Sequence, residues 1–371
     1  MSEGMSRERR RTEPEDLSPR EAVHRYLRRR RSDATDQSVE SWWYRLKLFV
    51  EWCEDIGIET VGEFRGFDLD EFYEHRSDVV APATLEGEMW TLTMFVRYLE
   101  QIEAVESGLA KSVRVPDIDD DDRTDNTQLV DDAALALLNH YRGDVEYYGT
   151  RAHVFLELTW TIGCRKGGLR AIDVRDVHPD DDYIELVHRP ETGTPLKRNS
   201  DGERPVALMD GTADVLREYL QEHRYDVHDE NGRQPFLASR RGRASVTTLT
   251  SWSYQATLPC IHGPCPHGKE IEECEFTEFA HASKCPSSRS PHQIRTGSIT
   301  WQLNTGIPPE VVAERVNADL KTIHQHYDKA TEEEKRKRRR KRMERDRRPF
   351  IEGVDLDAAN SSMEDVRYDS N

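Results

Sequence analysis

The sequence predicts a mainly α-helical protein with a small β-region, an N-terminal helical domain followed by a mixed α/β domain. Three observations predict it. Apolar residues recur at helical spacing through most of the first 110 residues and again in later blocks. Strand-type runs are confined to a stretch around Tyr183–Val187 and Pro205–Leu208. Between the halves lies a non-periodic segment with Pro116 and an Asp run at Asp119–Asp122, which reads as a linker. At 371 residues the chain exceeds one average domain, so two are expected.

In chain order, residues 1–16 are polar, lack periodicity and read as a disordered arm. Ser18-Pro19-Arg20-Glu21 is a capping box with Pro at the first helical position, opening a helix that runs to about Arg31. A second helix spans about Asp36 to Ile56, with Trp43, Leu46, Phe49, Val50 and Cys53 on one face and Gly57 as its stop. Asp68 to Arg76 and Ala83 to Ile102 give two more, so the helical domain is set at 17–110 and the linker at 111–128. The second domain, 129–350, opens with helices at Asp131–Tyr141 and Ala152–Ile162, followed by the two strands around a polar turn. Helices at about Thr212–His223 and Thr247–Thr257 come next, and an acidic tail covers 351–371.

The net charge of −18, from 53 basic and 71 acidic groups, is unusual for a protein that handles nucleic acid. Adaptation to high salt explains it best: a halophilic chain carries a solvated acidic surface, and its local basic patches then matter more than the total. One such patch is residues 335–348, with eleven basic and two acidic groups. No apolar run approaches the roughly 18–20 residues of a membrane span, and the Arg-rich N-terminus has no hydrophobic segment, so no membrane association and a cytoplasmic location are expected.

The most informative stretch runs from Pro291 to Asp328. His292 and Arg295 stand three apart, on one side of a helical turn. A turn at Asn304-Thr305-Gly306 follows, then a short helix opened by Pro308-Pro309, then a helix reaching Tyr327. Arg binds phosphate oxygens, His moves protons near neutral pH and Tyr can act as a nucleophile, so a phosphodiester is the natural substrate. This stretch resembles the signature of the tyrosine recombinases, the phage-integrase family, and its wording is similar to haloarchaeal members. Leu158-Thr-Trp-Thr-Ile-Gly-Cys-Arg165-Lys-Gly-Gly-Leu169 resembles the family's first arginine motif, and Asp173–Asp176 follows it as the family's strand entry does.

The resemblance implies a helical core-binding domain, one half of a clamp around double-stranded DNA, with Arg28, Arg29, Arg30 and Arg31 as phosphate contacts, and a tyrosine-recombinase catalytic domain. It implies site-specific recombination (DNA integration) by a tetramer assembled on DNA, needing neither catalytic metal nor ATP. Arg165 and Arg295 clamp the phosphate in this reading, His292 moves a proton, and Tyr327 attacks phosphorus to give a 3′-phosphotyrosine. Lys197, the one lysine where the family's β-hairpin belongs, serves as general acid. The chain departs from the family about nine residues before the nucleophile. A His or Trp is usual there; here Asn317 and Ala318 occupy the region, so either Asn317 bonds the phosphate instead or that function is weakened.

Of the six cysteines, Cys53 and Cys164 read as buried free thiols. Cys260, Cys265, Cys274 and Cys285, interleaved with His267 and His281, read as a structural Zn²⁺ site in an insert at 259–286, the histidines being substitute ligands. The rival readings are a type IB topoisomerase-like enzyme, with the same chemistry in a monomer, and a non-catalytic zinc-containing DNA-binding protein.

Overall fold

The computed structural model describes residues 13–118 and 127–326, together with Arg336 and Arg340. Most of the expected N-terminal arm, linker residues 119–126, Tyr327, most of the basic run and the acidic tail lie outside the described residues. The chain divides into two compact units, Met1–Asp125 and Asn126–Asn371.

The first unit is built on four helices: α1 (Pro19–Arg30), α2 (Asp36–Ile56), α3 (Gly66–Ser77) and α4 (Pro82–Gln101). At the start of α1 the Glu21 amide donates to the Ser18 hydroxyl at 3.3 Å, while the Ser18 amide donates to the Glu21 carboxylate at 3.1 Å. Gly57 ends α2 at φ +83°, a left-handed conformation that a Cβ would strain. Phe49 lies edge-on to both Phe64 and Phe72 in the core, with Leu46, Met89, Leu92 and Phe95 buried around them. Glu88, buried on α4, is held bidentately by Arg76 of α3 at 2.8 and 3.0 Å. The end of the expected arm is structured. Pro14–Asp16 forms a 3-10 turn, and the Val61 amide donates to the Leu17 carbonyl at 2.9 Å, tying this segment to the stretch before α3.

The second unit starts with α5 (Asp131–Gly143), α6 (Arg151–Ile162) and α7 (Lys166–Ala171). Strands β1 (Val177–His178), β2 (Tyr183–Leu186) and β3 (Arg204–Ala207) then form an antiparallel sheet in the order β1-β2-β3, with Ile184 opposite both Val177 and Val206. Helix α8 (Asp210–Glu218), a small hairpin of β4 (Ala238–Ser239) and β5 (Gly242–Arg243), and α9 (Val246–Ala256) follow. The unit closes with α10 (Pro291–Asn304), α11 (Pro309–Val316) and α12 (Leu320–His326). The helix expected to run to His223 keeps α geometry only to Glu218 and finishes as a π-turn, Tyr219–His223.

Helix α6 is the axis of this unit. Every residue from His153 to Trp160 is buried, because α5, α8, α9 and α10 all pack on it. Helix α10 crosses close to the start of the unit at Gly297, where an added Cβ would collide with the backbone carbonyl of Leu129. The two segments are also joined by the Leu129 amide, which donates to the Gln293 carbonyl at 3.1 Å.

Candidate active site

Helix α6 stops at Gly163, whose φ of +60° makes it a left-handed cap, and Arg165 follows directly at the head of α7. Helix α10 is capped by Ser290 in a capping box with Gln293, so His292 lies in its first turn and Arg295 one turn along. Arg295 is buried while His292 is exposed, so the helix turns its arginine into the unit and keeps its histidine at the surface. Helix α11 ends at Asn317, a non-glycine residue at φ +51°.

The two arginines expected to form a clamp meet at this last turn. The Arg165 Nη1 donates to the Asn317 carbonyl at 2.7 Å. The Arg295 Nη1 donates to the Val316 carbonyl at 2.8 Å and to the Gly163 carbonyl at 2.6 Å. Carbonyls at a helix C-terminus carry the negative end of the macrodipole, so the ends of α6 and α11 are suitable seats for cations. Two arginines not singled out in the sequence join them. Arg204, the first residue of β3, donates through Nε to the Arg315 carbonyl and through Nη1 to the Gly202 carbonyl, both at 2.8 Å. Arg315 donates to the Thr161 carbonyl from Nε and Nη2, at 3.3 and 3.1 Å. Burial pushes the pKa of both Arg204 and Arg315 down. Burial pushes that of the Cys164 thiol up, opposed by Arg204, Arg295 and Arg165 around it. A single sequence gives little sign of Arg204 or Arg315, since each follows an acidic residue and reads as one half of a surface pair.

Lys197 lies exposed on the 187–203 connection between β2 and β3, the stretch expected as a polar turn. The Asn317 side-chain amide donates to the Lys197 carbonyl at 3.3 Å, and Arg198 is ion-paired with Asp319. The amide expected to face the phosphate thus joins the lysine's loop to the end of α11. The base of the connection is held by a carboxylate–arginine network. Asp176 takes both Arg189 nitrogens at 2.7 and 2.6 Å, and Asp173 takes Arg233 at 2.8 and 3.0 Å and Arg243 at 2.5 Å. Burial would raise the Asp173 pKa, but the hydrogen bonds from Arg233 and Arg243 outweigh it and hold the carboxyl below its usual range. Arg233 also reaches the Thr194 hydroxyl at 2.8 Å, within the connection itself. The expected strand entry at Asp173–Asp176 is accordingly a 3-10 turn, Val174–Asp176, capped by Asp173 and leading into β1.

The cysteine-rich segment is a series of short 3-10 turns over a small apolar cluster of Leu258, Ala282 and Cys285, with Tyr254, Cys260, Ile261 and Phe276 packed against it. Burial raises the Cys260 pKa, and Cys285, Cys265 and Cys274 are near enough to add to that rise. Among the described residues, however, no three or more His, Cys, Asp or Glu side chains are arranged to hold a metal ion. His267 Nε2 pairs with the Ser287 hydroxyl at 3.0 Å, and His281 Nδ1 lies 3.4 Å from the Glu275 carboxylate. The four thiols are therefore neighbours without forming a ligand cage.

In the first unit Arg28, Arg29 and Arg31 are exposed, with Arg29 5.7 Å from the centre of the Tyr98 ring. Arg30 is half-buried, lies over Trp42 at 4.8 Å and pairs with Asp33 at 3.1 Å. His24 stacks on Trp43 at 4.8 Å beside a cavity of about 580 Å³ between α1 and α2, lined in part by Arg28 and Arg31.

No protein-family model matches the chain, and no curated protein sequence does. Solved structures do. The N-terminal domain of a phage integrase/site-specific recombinase from Haloarcula marismortui is 48% identical, over 27% of this chain and 97% of that one, with a TM-score of 0.27. The Tn1549 transposon integrase, in complex with a circular intermediate DNA, has a similar fold at 14% identity and a TM-score of 0.63, over 89% of this chain and 99% of that one. A lambda integrase dimer bound to a core site aligns at 13% identity and a TM-score of 0.58, over 86% of this chain and 80% of that one. Among the described residues no helix is long and apolar enough to cross a membrane.

Proposed function

The chain belongs to the tyrosine recombinase family of phage integrases, and from that premise we propose that it cuts and rejoins double-stranded DNA at specific sites through a 3′-phosphotyrosine intermediate. The observation that carries this reading is the meeting of Arg165 and Arg295 on the last turn of α11, shortly before Tyr327 in the chain. Two guanidiniums on neighbouring carbonyls suit the non-bridging oxygens of one phosphate and the charge that builds on them in a pentacoordinate transition state. The Tyr327 oxygen attacks phosphorus, the bond to the 5′-oxygen breaks, and the 5′-hydroxyl leaves after gaining a proton. The energy of the broken bond is kept in the phosphotyrosine, so rejoining needs neither ATP nor a catalytic metal.

His292, exposed at the head of α10, exchanges the proton of the nucleophile, and Lys197 donates to the departing 5′-oxygen. The first unit grips the duplex through Arg28, Arg29 and Arg31, which are exposed; Arg30 contributes less, because its charge is shared with Asp33. Strand exchange between two duplexes calls for four active sites, hence a tetramer on DNA, working in the cytoplasm on the cell's own or an incoming genome. A duplex nicked next to the cleavage position lets the short leaving strand diffuse away, so the wild-type protein accumulates as a covalent adduct that survives denaturing electrophoresis. A nicked duplex carrying the full site that never yields an adduct overturns the reading.

The role of Lys197 has its own test. A 5′-bridging phosphorothiolate leaves without a proton, so it restores cleavage by Lys197→Ala but not by Arg165→Ala. Equal restoration of both variants removes Lys197 from the role.

Zn²⁺ belongs to the same proposal, held by Cys260, Cys265, Cys274 and Cys285, with His267 or His281 able to replace a thiolate. When bound it would supply folding energy to a segment with a very small core. Tetrahedral coordination would need the four thiols to draw together, since no such set of ligands stands ready among the described residues. The expected result is about one zinc per chain by elemental analysis and a lower melting temperature after chelation. Metal-free protein with all four thiols freely titratable is the contrary result.

A further inference from the structure

Arg204 and Arg315 are half-buried, yet in a chain with 71 acidic groups neither has a carboxylate within 4.0 Å among the described residues. Other half-buried arginines of the unit fall into two groups: Arg189, Arg233 and Arg243 each hold an aspartate, while Arg170 and Arg289, away from this junction, bond carbonyls as Arg204 and Arg315 do. Asp319, two residues beyond Asn317, is engaged by Arg198. Withdrawing a guanidinium from water is costly unless its charge is answered. Backbone carbonyls answer it in part, through partial charges only, so Arg204 and Arg315 leave a surplus of positive charge beside Arg165 and Arg295.

The bonds form a chain. Arg315 ties its own helix, α11, to the end of α6 at Thr161. Arg204 ties β3, and the end of the Lys197 connection at Gly202, to the carbonyl of Arg315. The next two carbonyls along, those of Val316 and Asn317, receive Arg295 and Arg165. A shift of the Arg315 carbonyl therefore moves the seats of both clamp arginines. The net positive field is also shielded from salt better than any surface patch, because buried charges are screened least.

We propose that Arg204 and Arg315 complete the anion site as positioning residues, fixing the spacing of Arg165 and Arg295 and adding charge behind them for a tetrahedral phosphate or its trigonal-bipyramidal transition state. The identity of that anion as a DNA phosphate rests on the recombinase reading; the existence of the site does not. The test therefore uses inorganic orthovanadate on the full chain, with the melting temperature read with and without the anion and affinity taken from its concentration dependence. Wild type should be stabilised by vanadate. Arg204→Gln should bind it about tenfold more weakly or worse, the scale of losing one charge-assisted contact, and Arg315→Gln should fall between. Arg204→Lys, which keeps the charge, should retain most of the shift even if its basal melting temperature drops. A wild-type protein indifferent to vanadate overturns the proposal. So does an Arg204→Gln protein of lower basal stability with an unchanged vanadate shift, since that is the signature of packing alone. Failure of the recombinase reading would appear separately, as the lack of a covalent adduct on nicked DNA.

Discussion

Tyr327→Phe is expected to abolish the covalent adduct on a nicked duplex while leaving DNA affinity close to wild type. The substitution removes one oxygen and nothing else, and only that oxygen can form the bond to phosphorus. Phosphate contacts and the grip of the helical unit do not depend on it, so a gel-shift titration should hardly change. Adduct in undiminished yield would assign the nucleophile to another of the 13 tyrosines. Peptide mapping of the trapped product gives the same answer positively, since the nucleotide-bearing peptide must contain residue 327.

Arg295→Ala has the second-largest expected effect, and it combines two losses. Removing a donor that stabilises transition-state charge costs cleavage about 10²–10³-fold, or roughly 3–4 kcal/mol. The same change leaves the Gly163 and Val316 carbonyls without a buried donor, each worth about 1–3 kcal/mol. Arg295 is only 3% exposed, so water does not readily replace it. Arg165 is only half-buried, so water reaches the Asn317 carbonyl it bonds more readily than it reaches the carbonyls under Arg295. Arg165→Ala should therefore slow cleavage on a similar scale while lowering the melting temperature much less. Single-turnover cleavage measured beside thermal unfolding separates the two contributions. Wild-type cleavage by both alanine variants would show that the clamp has been built from the wrong residues.

These residues also show which parts of the site were legible in the chain. Short-range features read directly. The capping box at Ser18, the stop at Gly57 and the Pro308-Pro309 opening all act over at most one helical turn, so the residues that decide them are adjacent. The polar turn between the strands read poorly. Its order comes from Asp173 and Asp176 pairing with Arg189, Arg233 and Arg243, contacts that periodicity does not encode. The bond from the Asn317 side chain to the Lys197 carbonyl, across 120 residues, is likewise a contact that sequence spacing does not encode.

By itself the sequence determined most of the helices, several of their caps, two strands of the small sheet and the residue types available for phosphoryl chemistry. Propensity, capping and apolar period are local properties that need no partner from a distance. Only the tertiary structure decided that the ends of α6 and α11 face each other, so that one guanidinium, Arg295, bonds a carbonyl 132 residues before it and another 21 residues after it. It alone decided that Arg204 and Arg315 belong to that junction. The reason is physical: a helix C-terminus has unpaired carbonyls whatever its sequence, and which cations reach them depends on how the helices pack.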